Sequence, residues 1–173
     1  VGKLAAIKYA RENKIPYLGI CLGMQLALIE YARNVLGFEQ ATSLEFDETT
    51  TMPIIDLKYS EKGIGNPMRL GLFPCKLQEG TKIRELYGQE LINERHRHRF
   101  EFNNKYLDIY RNTDVVFSGI NPELGIAETI ELKNHPWFIA TQFHPEFLSR
   151  PTRPHPLFKG FVDASIIYMN ENN

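Results

Sequence analysis

Cys21 stands with a glycine two residues before it and another two after, in Leu18-Gly19-Ile20-Cys21-Leu22-Gly23-Met24-Gln25. An apolar run of β type over 15–20 leads into it, and a helical pattern over 22–33 follows directly. A cysteine at such a corner has the form of a nucleophile elbow, the sulfur counterpart of the Gly-x-Ser-x-Gly turn. The glycines leave room for a sharp turn and for close backbone approach. The start of the helix brings partial positive charge and free N–H groups, which favour a thiolate. The Leu22 N–H is placed to donate to an oxyanion forming on a substrate bound to Cys21. The same spacing also suits a buried structural cysteine between two packing glycines.

A nucleophilic cysteine needs a base, and the base needs a group to orient it. Gln142-Phe143-His144-Pro145-Glu146, near the other end of the chain, offers both. If this stretch is extended, His144 and Glu146 project to one side, because strand side chains repeat every two residues. His144 would take the thiol proton, and Glu146 would hold its ring. Only tertiary folding can bring them to Cys21.

The elements that must do so are those of an α/β domain. Positions 3–13 carry Leu4, Ile7 and Ala10 at helical spacing. Helix, strand (15–20), Cys21 and helix then follow in order. This predicts a parallel sheet, with the site beyond the C-terminal ends of its strands. Further strands are predicted over 52–57, 115–119 and, fully buried and delivering His144, 137–143. A weak alternation covers 128–132, and 106–110 reads as a helix end. Loops are predicted over 34–51, 59–67 and, because of its prolines, 149–156. A helix over 157–169 closes the chain.

The chain's 173 residues are enough for one domain with a core, and 43% hydrophobic content fits a globular class. A net charge of −1 gives no reason to expect nucleic acid or an anionic membrane as partner. Two distant cysteines make no disulfide framework, which points to a reducing, cytoplasmic setting. No signal-peptide pattern is expected. The longest apolar stretch, 17–29, is broken by Gln25 and two glycines and is too short to cross a bilayer.

Other chemically capable residues have plainer alternatives. In Glu94-Arg95-His96-Arg97-His98-Arg99-Phe100-Glu101-Phe102, an extended backbone puts the three arginines on one face and the two histidines on the other. The arginine row suits an anion or carboxylate. A His-x-His metal pair lacks an evident third ligand, so no metal is assigned. A nucleic-acid patch fits the charge balance poorly, and a solvated strand face is the plain alternative. Glu45 reads as a solvated loop carboxylate, Cys75 as an inert thiol, His135 as a turn residue and His155 as lacking a partner.

Cys21 within Gly-Ile-Cys-Leu-Gly-Met-Gln, taken with Gln-Phe-His-Pro-Glu, resembles the class I glutamine amidotransferases. Four further stretches are similar to the glutaminase domains of the CTP synthase family. They begin at Glu30 (Glu-Tyr-Ala-Arg-Asn-Val-Leu-Gly), Met68 (Met-Arg-Leu-Gly), Glu94 (Glu-Arg-His-Arg-His-Arg-Phe-Glu) and His144 (His-Pro-Glu-Phe-Leu-Ser-Arg-Pro). The resemblance covers nearly the whole of 1–173. It implies a flavodoxin-like fold, with a mostly parallel central sheet and helices on both faces. It also implies hydrolysis of L-glutamine through a thioester on Cys21, with His144 as base and Glu146 as orienting carboxylate.

Leu22, Gly23, Met24 and Gln25 match the glutamine-binding turn, and Glu45 and Arg99 match further glutamine contacts, with Arg97 a weaker candidate. This reverses the solvated reading of Glu45, since the substrate's ammonium wants a carboxylate. No cofactor is implied for this domain. Ammonia would pass to a synthase (amidoligase) domain that aminates UTP to CTP with ATP and Mg2+. GTP is implied as activator and a homotetramer as the assembly. Another class I amidotransferase, or a non-catalytic module of the same fold, stays open as an alternative.

Two departures from the family pattern accompany the resemblance. The family carries Pro-Gly-Gly-Phe-Gly ahead of the first helix, supplying a second oxyanion N–H, and this sequence begins just after that point. The expectation is therefore an N-terminally incomplete domain whose first strands lie outside it. Gly63-Ile64-Gly65-Asn66-Pro67 also stands where the family shows Gly-Gly-Thr.

Overall fold

A computed structural model describes residues 2–57 and 68–172. The order predicted around Cys21 is the order found: α1 (Gly2–Glu12), β1 (Tyr17–Ile20) and α2 (Leu22–Asn34), with Cys21 the single residue between strand and helix. Then come β2 (Thr42–Ser43), β3 (Pro53–Leu57), β4 (Arg69–Leu77), α3 (Lys82–Tyr87), β5 (Leu91–His98) and β6 (Phe100–Phe102). A 3-10 turn (Asn104–Tyr110) leads to β7 (Val115–Ile120), β8 (Ala127–Leu132) and β9 (Phe138–Thr141). A second 3-10 turn (Pro145–Phe147) precedes α4 (Pro156–Glu171). The loop expected over 59–67 lies outside the described residues, as does the Gly63–Pro67 departure.

The larger sheet has the order β1-β9-β8-β7-β4-β5. Helices cover both its faces, as expected, but the sheet is mixed rather than mostly parallel. Among the described residues only β1 and β9 run parallel in it, while β9-β8, β8-β7, β7-β4 and β4-β5 are antiparallel. The connections explain this. The links from β7 to β8 and from β8 to β9 are too short to hold a crossover helix, so each strand turns straight back. Hydrophobic alternation reports which face is buried and is blind to strand direction.

β9 lies at the centre of the packing, and all four of its residues are buried. Phe138 and Ala140 face one core with Met24, Leu28 and Ile29 of α2. Ile139 faces the other, with Trp137, Phe143 and Leu157. Residues 24–32 of α2 are all buried, because the helix lies between α1, the larger sheet and a small sheet of order β2-β3-β6. The buried Glu30 carboxylate is met by Arg11 of α1 through Nε at 2.8 Å and Nη2 at 2.7 Å. This two-point contact satisfies the charge and fixes α1 on α2.

Further parts of the fold differ from the expectation, among them β2, which falls in the loop predicted over 34–51. The short α3 was not anticipated; Thr81 caps its start and Gly88, at φ 66°, ends it. His155 does have partners: its Nε2 lies 2.7 Å from Glu94 and 3.2 Å from the Tyr87 hydroxyl, and its Nδ1 accepts the Leu157 N–H that starts α4. Glu94 and Tyr87 are far off in sequence, so nothing local announced them.

Candidate active site

The elbow is built by close approach. A Cβ on Gly19 would fall 2.8 Å from that of Ala140 and 2.9 Å from the Gly23 backbone, so only glycine lets β1, β9 and the first turn of α2 meet. The Tyr17 hydroxyl closes the corner by donating to the Gly23 carbonyl at 2.9 Å. Cys21 itself takes the sharp turn, at φ 52°. A side chain held there costs on the order of 1–3 kcal/mol and persists only where its surroundings fix it. Here the Cys21 N–H donates to the Thr141 carbonyl at 2.7 Å, while the Cys21 carbonyl accepts from Met24 and Gln25 of α2.

Four groups act on the half-buried thiol. Burial pushes its pKa up, and the carboxylates of Glu146 and Glu45 push the same way. Hydrogen bonds from the Leu22 N–H and the Gln142 side chain pull it down without prevailing. The Leu22 N–H at the helix start does favour the thiolate, but burial outweighs it. The thiol rests protonated, and its activation calls for a base.

His144 follows β9 and opens the 3-10 turn Pro145–Phe147. It does not continue the strand; the turn, rather than an extended backbone, brings His144 and Glu146 together. The His144 Nδ1 lies 2.6 Å from Glu146 Oε1, and the ring stacks on Phe147 with centroids 5.1 Å apart. The His144 N–H donates to the Arg95 carbonyl of β5 at 2.8 Å. Its Nε2 is buried and makes no hydrogen bond among the described residues.

The remaining candidates gather around the start of α2. Leu22 is half-buried, while Met24 is fully buried in the core and so offers a ligand only its backbone. Gln25 is buried and donates to the Phe100 carbonyl at 2.8 Å. Arg99 is exposed at the bend between β5 and β6, one residue from that carbonyl. Glu45 is exposed on the turn after β2, close enough for its charge to act on Cys21.

The β5 faces divide as predicted, with Arg95 and Arg97 out and His96 and His98 in. The histidine face is buried rather than solvated. His96 Nδ1 lies 2.9 Å from His98 Nε2, so the two rings engage each other. Around them lie Arg69 and Glu128, joined at 2.7 Å, and Glu101. Burial, reinforced by Arg69, His98 and His144, holds His96 neutral, with a pKa lowered to about 2. Among the described residues no group of three or more His, Cys, Asp or Glu is arranged to hold a metal ion. Nor is any helix of these residues long and apolar enough to cross a membrane.

Gln142 has a contact that no motif in the sequence assigns to it. The structure puts its side-chain N–H 3.6 Å from Cys21 Sγ. One signal was available: Gln142 is an amide near the end of a mainly apolar stretch over 137–143.

The model of the glutamine amidotransferase class-I family matches residues 1–164. CTP synthase of Bacillus subtilis (strain 168) is 59% identical over 173 residues, covering 98% of this chain and 32% of that protein. The chain therefore spans about a third of the length of such relatives. A solved Trypanosoma brucei CTP synthase glutaminase domain with bound acivicin superposes with a TM-score of 0.90 at 35% identity, over 95% of this chain and 65% of that one. A Thermotoga maritima glutamine amidotransferase, at 17% identity and TM-score 0.52 over 83% of this chain and 46% of that one, shares the fold. With a family match running from the first residue past the Gln142–Glu146 stretch, the chain belongs to the class I glutamine amidotransferases.

Proposed function

We propose that this domain hydrolyses L-glutamine through Cys21, His144 and Glu146, and that the ammonia serves amination of UTP to CTP by a synthase domain of the same protein. His144 Nε2 takes the Cys21 proton, and the sulfur attacks the carboxamide carbon. The Leu22 N–H, which now donates to the sulfur, faces the oxyanion that forms. Collapse breaks the C–N bond, and His144 returns its proton to the leaving ammonia. Water, deprotonated by His144, then hydrolyses the thioester to glutamate and free thiol. Glu146 holds the ring through Nδ1 and stabilises its charged form.

Leu22, Gly23, Met24 and Gln25 would line the glutamine side chain, with Glu45 meeting the substrate ammonium and Arg99 its carboxylate. ATP and Mg2+ would act in the synthase domain, with GTP as activator, in a cytoplasmic homotetramer.

The observation that carries this reading is the imidazole anchored at Nδ1 by Glu146 with its buried Nε2 uncommitted. Ammonia release from glutamine, with Cys21→Ala as control, tests it. Equal release from both proteins would remove Cys21 as nucleophile. Rescue of a cytidine auxotroph by the full-length protein tests the acceptor. Retained glutaminase activity without rescue would assign the ammonia to another acceptor.

A further inference from the structure

We propose that Gln142 is a positioning residue in a directional amide relay, which runs from the Phe100 carbonyl through Gln25 and Gln142 and ends as a forced hydrogen-bond donor on the Cys21 sulfur. The direction is set at the backbone end. A carbonyl can only accept, so Gln25 must present its Nε2 to Phe100, which it does at 2.8 Å. The same Nε2 donates its second hydrogen to Gln142 Oε1 at 3.1 Å. With its oxygen committed, Gln142 has only its amide hydrogens to turn toward Cys21, and its Nε2 lies 3.6 Å from Sγ. The Gln142 backbone is fixed as well, by its own N–H on the Glu128 carbonyl at 2.8 Å.

Both amides are almost fully buried, Gln25 at 3% and Gln142 at 1% exposure, so neither can exchange these partners for water. A buried amide free to rotate could offer the sulfur either end. An oxygen there would repel a thiolate, whereas the N–H stabilises it. The relay removes that choice. The other groups acting on Cys21 are the Leu22 N–H, which assists, and the Glu146 and Glu45 carboxylates, which oppose. Gln142 is therefore the one side-chain donor among them.

This inference deepens the glutaminase reading and rests on it for its purpose, but its test needs no turnover. The rate of Cys21 alkylation by iodoacetamide is followed against pH in the intact protein, with the adduct located by mass spectrometry. Cys75, fully buried, does not compete. Gln142→Met keeps the side-chain length and removes the donor. Gln25→Met leaves the sulfur's own contacts in place and frees Gln142 to turn.

Both variants are expected to move the Cys21 titration up by about one pH unit, a tenfold loss of thiolate at fixed pH. The shift in Gln25→Met is the decisive one, because Gln25 reaches the sulfur only through Gln142. Should Gln142→Met fail to fold, Gln25→Met decides alone. A wild type that hydrolyses glutamine while Gln25→Met leaves the titration unmoved overturns the relay. A shifted titration in the variants, with a wild type that releases no ammonia, upholds the relay and removes the glutaminase reading instead.

Discussion

His144 and Glu146 are joined Nδ1 to Oε1 at 2.6 Å across a single 3-10 turn, so the ring is oriented by a residue two positions along the same chain. Replacing Glu146 with Gln keeps the shape and removes the charge that favours an imidazolium. Turnover of glutamine is expected to fall by up to roughly four orders of magnitude, the scale of loss when a triad carboxylate becomes an amide. KM should change little, and steady-state ammonia release separates the two.

His144→Ala should abolish turnover and leave the fold intact. The side chain is partly exposed and sits beyond the end of β9, outside both apolar cores. Stability should change by less than about 1 kcal/mol. A thermal melt checks this, and a large fall in Tm would place the residue in the packing instead.

Glu45→Gln should raise the KM for glutamine severalfold more than it lowers kcat, since a group that only binds the substrate ammonium contributes alike in ground and transition states. An unchanged KM would return Glu45 to the role of a solvated carboxylate on a turn.

Gly19→Ala should destabilise the protein by about 1–3 kcal/mol or more, because the new methyl meets Ala140 and the Gly23 backbone rather than a flexible side-chain tip. For a domain of this size that lowers Tm by about 2–12 °C. The same methyl would push the corner that holds Cys21, so the surviving folded fraction should also turn over more slowly.

Acid sensitivity is expected to trace to His96. Its pKa is about 2 in the fold against an ordinary 6.5, so between those values the unfolded chain binds a proton that the folded one does not. Stability therefore falls as pH drops from 6.5. Glu128 acts oppositely: burial raises it from 4.5 to about 7, so its contribution is full below 4.5 and is lost as pH rises through 7. The two oppose each other between 4.5 and 6.5, and below 4.5 His96 acts without opposition. Thermal melts at pH 7 and pH 4 should show His96→Gln losing less stability on acidification than the wild type.

What was legible in the sequence was local. Gly19, Cys21 and Gly23 announce a corner because a strand period and a helix period meet there. Arg95 and His96 announce opposite faces because a strand alternates. What escaped was pairing at a distance. His96 and His98 looked like a solvated face because the residues that bury them, Arg69 and Glu128, come from β4 and β8. His155 looked unpartnered because Glu94 lies on β5. The direction of β8 between β7 and β9 escaped too, since the weak alternation over 128–132 says nothing of which way a strand runs. Gln142 stood in plain view, yet its role depends on Gln25, a residue from the other end of the chain.

The tie between the His144 amide and the Arg95 carbonyl joins main chain to main chain. Sequence drift at position 95 cannot erase it, because every amino acid supplies the same carbonyl. The main-chain seat of His144 is thus inherited from topology, while the Glu146 side chain sets the direction of the ring. Variation at the outward positions of this strand is free to retune the surface while that tie stays put, and a slip of the whole ribbon would break it.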